Sequence, residues 1–380
     1  MHHGSFPATP KTFDWWIPTT IHFGGGLGGA SRALAKKNVL VVSDAVLKKL
    51  GAVQKLVDSL QGVAGVHFFC DVQPNPTLGN VEEATQLARA NGVDAVVGFG
   101  GGSALDVAKA VACMVGEEGP FSEFWNGERS FSNRRPLLVA IPTTAGTGSE
   151  VTSVGVYSAP ELQAKKAIGS PHFWPDFAVV DPYWTLSVPP GGTVSTGLDA
   201  FSHALEAFWA SSSQPLSQAF AREAMRTLFG NLETAFQDGS NEQARAALSR
   251  ASLMAGMAFS QTRTTLLHAI SYPLTAWYGV PHGLACIVTL RPVLEWVHET
   301  RPEVCEEVAR AVGFPTYGEF RAPFFEWLDR LGVPKRLQEL GIPETDIPRL
   351  AEESLKPPIV QLTPRVPSGE QMQQLFRSIF

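Results

Sequence analysis

The chain has 380 residues, a formal net charge of −6, and hydrophobic and charged shares of 44% and 17%. That length exceeds what one hydrophobic core usually covers. The composition excludes a disordered or fibrous chain, and the acidic surplus argues against nucleic acid as a partner. No apolar run reaches the roughly 18 residues that span a bilayer, so no membrane partner is expected. The four cysteines (Cys70, Cys113, Cys286, Cys305) stand far apart without C-x-x-C, as reduced thiols of a cytoplasmic protein do. The opening Met1-His2-His3-Gly4-Ser5 lacks the apolar core of a signal peptide.

In chain order, the first signal is Gly24-Gly25-Gly26-Leu27-Gly28-Gly29, which satisfies G-x-G-x-x-G, with Asp44 ending a predicted strand 20 residues after Gly24. A dinucleotide fingerprint has that form, and so does a tight turn in a chain holding 35 glycines. The β-rich runs Val39 to Ser43, Val63 to Phe69, Ala95 to Phe99, Leu137 to Ile141 and Phe177 to Val180 alternate with helical patterns such as Val81 to Asn91 and Ser103 to Val115. That rhythm predicts a parallel sheet covered by helices on both faces. The third of these strands runs straight into Gly100-Gly101-Gly102-Ser103 and a helix. Backbone N–H groups without side chains, at a helix N-terminus, suit a pyrophosphate. No Gly-Lys-Ser/Thr follows, which excludes a Walker loop. The run Pro142 to Glu150 (PTTAGTGSE) places Thr143, Thr144 and Thr147 beyond the next strand, where open α/β sheets bind ligands.

After Pro189-Pro190-Gly191-Gly192 the pattern turns helical, with long stretches over Thr196 to Ala210, Pro215 to Gln237, Asn241 to Phe259 and Glu319 to Leu340. Two domains are therefore expected, an α/β dinucleotide-binding unit over 6–188 and an all-helical unit over 189–380. Within the second, Asp199 and His203 are four residues apart, one helical turn on one face. His268 and His282 bracket a segment broken by Pro273, Gly279 and Pro281, which lets the chain fold back. One carboxylate and three imidazoles suit a borderline divalent metal such as Fe(II) or Zn(II).

In order along the chain stand FGGG at Phe23 to Gly26, VVSD ending at Asp44, PNPT at Pro74 to Thr77 and GGGSALDVAK at Gly100 to Lys109. They are followed by PTTAGTGSEVT at Pro142 to Thr152, TGLDAFSHALE at Thr196 to Glu206, and two histidines closing on Pro281-His282-Gly283. This ordered set resembles the iron-containing (group III) alcohol dehydrogenase family. The resemblance implies a dehydroquinate-synthase-like fold, a Rossmann-like N-terminal domain plus a helical C-terminal one. It implies Asp199, His203, His268 and His282 as ligands of Fe2+ or Zn2+, and Gly100, Gly101, Gly102 and Ser103 as a pyrophosphate cradle. Asn75, Asp106, Thr143, Thr144, Thr147 and Lys165 become further cofactor contacts. Asp44 falls where a carboxylate meets the adenosine ribose, which favours NAD(H) over NADP(H). In such an enzyme the metal polarises an aldehyde oxygen while the nicotinamide delivers hydride. A homodimer is expected.

Two departures bear on chemistry. Many family members carry a histidine four residues after the third ligand; here Tyr272 stands there, and its phenol is a different proton relay. Just before His268, where the family is small and glycine-rich, the run is Gln261-Thr262-Arg263-Thr264-Thr265. Read as helix, Thr264 and Thr265 share the face of His268, with Arg263 at the pocket mouth and Arg291 adding charge. A guanidinium and hydroxyls beside a metal suit a small anionic aldehyde or alcohol. The stretch Thr262 to Ala285 is similar to phosphonoacetaldehyde reductases, which implies reduction of that aldehyde to 2-hydroxyethylphosphonate. A generic short-chain alcohol or diol dehydrogenase, a dehydroquinate-synthase-like lyase and an inactive metal- and nucleotide-binding protein are the alternatives. Trp15, Trp16, Phe124, Trp125, Phe259 and Trp277 are candidate pocket walls.

Overall fold

A computed structural model describes residues 12–132, 135–162 and 164–380; residues 6–11, the expected start of the first domain, lie outside the described residues. The first half holds strands β1 (Thr20–Phe23), β2 (Asn38–Val42), β3 (Gly65–Phe69), β4 (Ala95–Gly100), β5 (Leu137–Pro142), β6 (Val154–Ala159), β7 (Ala164–Gly169) and β8 (Phe177–Val180). Between them lie α1 (Gly29–Leu34), α2 (Ala45–Lys49), α3 (Ala52–Ser59), α4 (Leu78–Ala90), α5 (Gly102–Met114) and α6 (Phe121–Asn126). Six strands form one parallel sheet in the order β1-β8-β5-β4-β2-β3, and β6 pairs with β7 in an antiparallel hairpin outside it.

The sheet is parallel because its strands are apolar on both faces. Leu40, Val42, Val96 and Leu138 join one buried cluster, and Val39, Val41, Val97 and Val139 the opposite one. The predicted interior strands appear within a residue or two. The edge strand β1 and the β6–β7 hairpin were not anticipated.

The second half is helical: α7 (Pro190–Trp209), α8 (Pro215–Gln237), α9 (Glu242–Thr262), α10 (Leu266–Tyr278), α11 (His282–Ile287), α12 (Leu290–Thr300), α13 (Pro302–Val312), α14 (Tyr317–Arg330), α15 (Ile347–Leu355) and α16 (Gly369–Arg377). Pro189 to Gly192, expected as the boundary between the two domains, begins α7, with Pro189 as N-cap and Pro190 at the first helical position, which needs no N–H donor. A single apolar cluster runs through α7 to α16. Among the described residues no helix is long and apolar enough to cross a membrane.

The two halves meet where the loop after β5 presses on α9. A Cβ on Gly256 of α9 would lie 2.9 Å from Gly148 Cα and 2.8 Å from a Val151 methyl, so only glycine lets these backbones approach. Gly256→Ala is expected to cost about 1–3 kcal/mol by overpacking, read from the urea midpoint. Gly230→Ala on the exposed face of α8, where a Cβ meets nothing within 4 Å, is expected to gain about 0.5–1 kcal/mol in the same assay.

Candidate active site

Helix α7 carries Asp199, His203 and Glu206 at i, i+4 and i+7, one inward face, and all three are buried. α10 brings in His268, and the first residue of α11 brings in His282. Oδ1 of Asp199 lies 3.6 Å from His268 Nε2, 3.8 Å from His282 Nε2 and 4.0 Å from His203 Nδ1. Buried Asp199 Oδ1, His203 Nδ1 and His268 Nε2 have no hydrogen-bond partner among the described residues. Unpaired buried polar atoms are costly, and these converge on one point. A tetrahedral ion with bonds of about 2.0–2.3 Å holds its donors about 3.3–3.8 Å apart, close to the separations seen. The site therefore fits a divalent metal.

Its electrostatics suit that use. Burial alone would raise the Asp199 carboxyl, but His203, His282 and His268 outweigh it and hold the group well below the usual carboxylate range. Burial pushes His203 down to about 4 and His282 down to about 3, against the pull of Asp199. Both rings are thus neutral at pH 7, the form that donates a lone pair. Burial also disfavours the charged form of His268, yet Cys286, Glu206 and Asp199 raise it. Glu206 accepts from His268 Nδ1, from Thr265 Oγ1 at 2.6 Å and from the Leu267 N–H at 2.7 Å. This fixes the tautomer of His268 and points Nε2 at Asp199.

A cleft of about 250 Å³ opens from these residues toward the carboxyl ends of β4 and β5. Gly102, Ser103, Asp106, Thr147, Asn75 and Lys165 line one side, and His203, Phe259, Arg263, Thr264, His268, Tyr272 and His282 the other. α5 begins there with Gly101 as N-cap and no side chain capping it. A Cβ on Gly102 would strike Thr147 at 2.6 Å, so the cradle admits a ligand only as bare backbone. Thr143 and Thr144 follow β5, with the Thr143 N–H donating to Gly100 O at 2.9 Å. Lys165 Nζ donates to Asn75 Oδ1 at 2.8 Å. Asp44 caps α2, its Oδ1 accepting from the N–H groups of Val46 and Leu47 at 2.9 Å each; Oδ2 lies beside Gly100. Of the cofactor candidates, Asn75, Gly102, Ser103, Asp106, Thr147 and Lys165 thus line the cleft, whereas Asp44, Gly100, Gly101, Thr143 and Thr144 are not among its lining residues.

Two family models match the chain: "Iron-containing alcohol dehydrogenase" over 18–182 and "Fe-containing alcohol dehydrogenase family, C-terminal" over 193–380. The chain belongs to the iron-containing alcohol dehydrogenase family. It is an oxidoreductase of alcohols and aldehydes. Long-chain-alcohol dehydrogenase 1 of Geobacillus thermodenitrificans (strain NG80-2) is 34% identical, covering 90% of this chain and 89% of that protein. Sulfoacetaldehyde reductase of Bilophila wadsworthia (strain 3_1_6) is 30% identical, covering 93% and 96%. The crystal structure of sulfoacetaldehyde reductase from Bifidobacterium kashiwanohense in complex with NAD+ superposes with a TM-score of 0.91, at 33% identity over 97% of this chain and 99% of that one.

Several expectations need correction within this family member. Residues 263–265 are not helical, because α9 ends at Thr262 and α10 starts at Leu266. Thr264 reaches the cleft from that break, while the Thr265 hydroxyl turns away to Glu206 and accepts from Trp209 Nε1. Arg291 adds no charge to the cleft, since its guanidinium pairs with Asp329 and donates to Phe325 O. Of the aromatic candidates only Phe259 lines the cleft; Phe124 and Trp125 are buried beneath the sheet and Arg349 covers Trp277. The first glycine run follows the edge strand β1 and contributes nothing to the cleft lining. Asp106 touches the cleft, but its carboxylate accepts from Ser149 Oγ at 2.7 Å and Val156 N–H at 2.9 Å, tying α5 to β6.

Glu206 was missed. The signal for Glu206 was there, a carboxylate seven residues after Asp199 in an otherwise apolar helix. Glu206→Gln is expected to weaken metal binding about 10- to 100-fold, measured by chelator competition, because it removes the charged partner that orients His268.

Proposed function

We propose that this enzyme reduces a small anionic aldehyde, phosphonoacetaldehyde, to 2-hydroxyethylphosphonate with NADH. The observation that carries this reading is the backbone of Arg263. Its φ of 68° and ψ of 176° lie in a region that essentially only glycine occupies, at a cost of about 1–3 kcal/mol for any other residue. An arginine held in such a conformation, on a break between two helices and lining the cleft, points to a task for its guanidinium. No carboxylate among the described residues forms an ion pair with it. Lys165 supplies a second cation on the facing wall. A planar guanidinium and an ammonium on opposite sides suit a phosphonate, which carries more charge than a sulfonate at neutral pH. That a relative is named for sulfoacetaldehyde supports the anionic class.

Bound by Asp199 and the imidazoles, the metal supplies Lewis-acid polarisation of a carbonyl. The chain's own residues do the rest. The N-terminus of α5 takes the pyrophosphate, and Asp44, beside Gly100, faces the adenosine ribose and disfavours a 2′-phosphate. Phe259 walls the metal side against water. Burial raises the Tyr272 phenol, against the pull of His268 and Arg263, so it stays protonated at neutral pH as a hydrogen-bond donor.

Initial rates of NADH oxidation by metal-loaded enzyme should favour phosphonoacetaldehyde over propionaldehyde by about 30- to 150-fold in kcat/KM, the worth of about 2–3 kcal/mol from a charged contact. Sulfoacetaldehyde should fall between them. Equal rates on the charged and uncharged aldehydes would refute the reading. Arg263→Gly should abolish the preference while raising the melting temperature by the equivalent of about 1–3 kcal/mol, since glycine relieves the strain. A purely structural arginine would lose stability instead.

A further inference from the structure

We infer that Thr262 and Ser212 are positioning residues for the substrate-binding cation, acting through the backbone of Arg263. The inference deepens the reading of Arg263 given above and rests on it. α9 ends at Thr262, and the carbonyls of a helix's last turn have no partner within it. Ser212 Oγ donates to one of them, Thr262 O, at 2.7 Å, and Thr262 Oγ1 donates to the next carbonyl, Arg263 O, at 2.9 Å. From the other side, the Arg263 N–H donates to Phe259 O at 2.7 Å. Arg263 is thereby held at both its N–H and its carbonyl, and the peptide before it is fixed as well. A residue with a Cβ stays at φ of 68° and ψ of 176° only where its surroundings over-determine it, and these three bonds do so. Thr262 is 1% exposed, so packing as well as this bond keeps its hydroxyl in place.

The clamp matters because no ion pair among the described residues aims the guanidinium, so its direction is set from the backbone end. The side chain leaves the break between α9 and α10 and reaches the facing wall. Its Nη1 lies 3.7 Å from the position of a Cβ on Gly169, at the end of β7, the strand that carries Lys165. Downstream the chain is fixed again at Thr265, whose hydroxyl donates to Glu206 at 2.6 Å. Relaxation between these anchors therefore falls on Arg263. Rotating it to a negative φ would redirect its Cα–Cβ bond, and the guanidinium at the end of that long lever with it.

The ratio of kcat/KM for phosphonoacetaldehyde to that for propionaldehyde, with metal-loaded enzyme and NADH, reads the clamp. Thr262→Val keeps the shape and removes the hydroxyl. It should shrink the ratio about tenfold or more, mainly through a higher KM for the phosphonate, because a charged contact is lost when its donor is misplaced. Thr262→Ser, which keeps the hydroxyl, should keep the preference. In an Arg263→Gly background Thr262→Val should not change the ratio further, since no side chain is left to aim. A merely structural threonine would slow both aldehydes alike and leave the ratio where it is. Ser212→Ala, at an exposed position, should shift the ratio in the same direction and serves as the test if Thr262→Val folds poorly. A wild-type preference that survives these substitutions would overturn the clamp and leave the reading of Arg263 standing. Equal wild-type rates on the two aldehydes would overturn both.

Discussion

Two carboxylates, Asp199 and Glu206, are buried on one face of α7 within an apolar helical core. Neither can stay charged there without compensation, because removing an ion from water costs several kcal/mol even after the protein relaxes. The compensation comes from elsewhere in the chain. His268 lies between the two, its Nδ1 paired with Glu206 and its Nε2 facing Asp199, while His203 and His282 close on Asp199 from other sides. A cation at their centre would complete the balance. This need explains why α10 and α11 must dock on α7, and why a break at Pro281 and a close approach at Gly283 are built into the chain.

The same docking makes the cleft. With α11 against α7 and α9 against the loop after β5, the metal residues stand opposite the glycine turn that opens α5. One wall is backbone N–H and hydroxyl, suited to phosphates; the other is imidazole, carboxylate and aromatic, suited to a reacting carbonyl. The sheet places its share at the carboxyl ends of β2, β4 and β5, where Asp44 and Thr143, just beyond their paired strands, both lie beside Gly100. Chemistry between two substrates needs both walls at once, and neither half of the chain provides them alone.

Within that shared frame, the departures of this chain cluster on the metal side. Arg263 occupies a backbone conformation suited to glycine, and Tyr272 stands where a family histidine is common. Both change the polar groups that line the cleft and leave the fold unaffected, which is how one scaffold serves several substrates.

The sequence by itself determined the parallel sheet, the glycine turn before α5, the PTTAGTGSE loop and the acid–imidazole pair of α7. These depend on local periodicity and spacing, which a linear reading captures. It also determined Arg263 and Thr264 as candidates, though through a helical face that residues 263–265 do not have. Only the tertiary structure decided the rest. β1 is a four-residue edge strand that makes sense only beside β8, and Arg291 is neutralised by Asp329 from another helix. Glu206 gained meaning from the partners that docking brings to it. The physical reason is common to all of these: a side chain's charge, tautomer and ligand reach are set by neighbours distant in sequence, and burial makes those neighbours decisive.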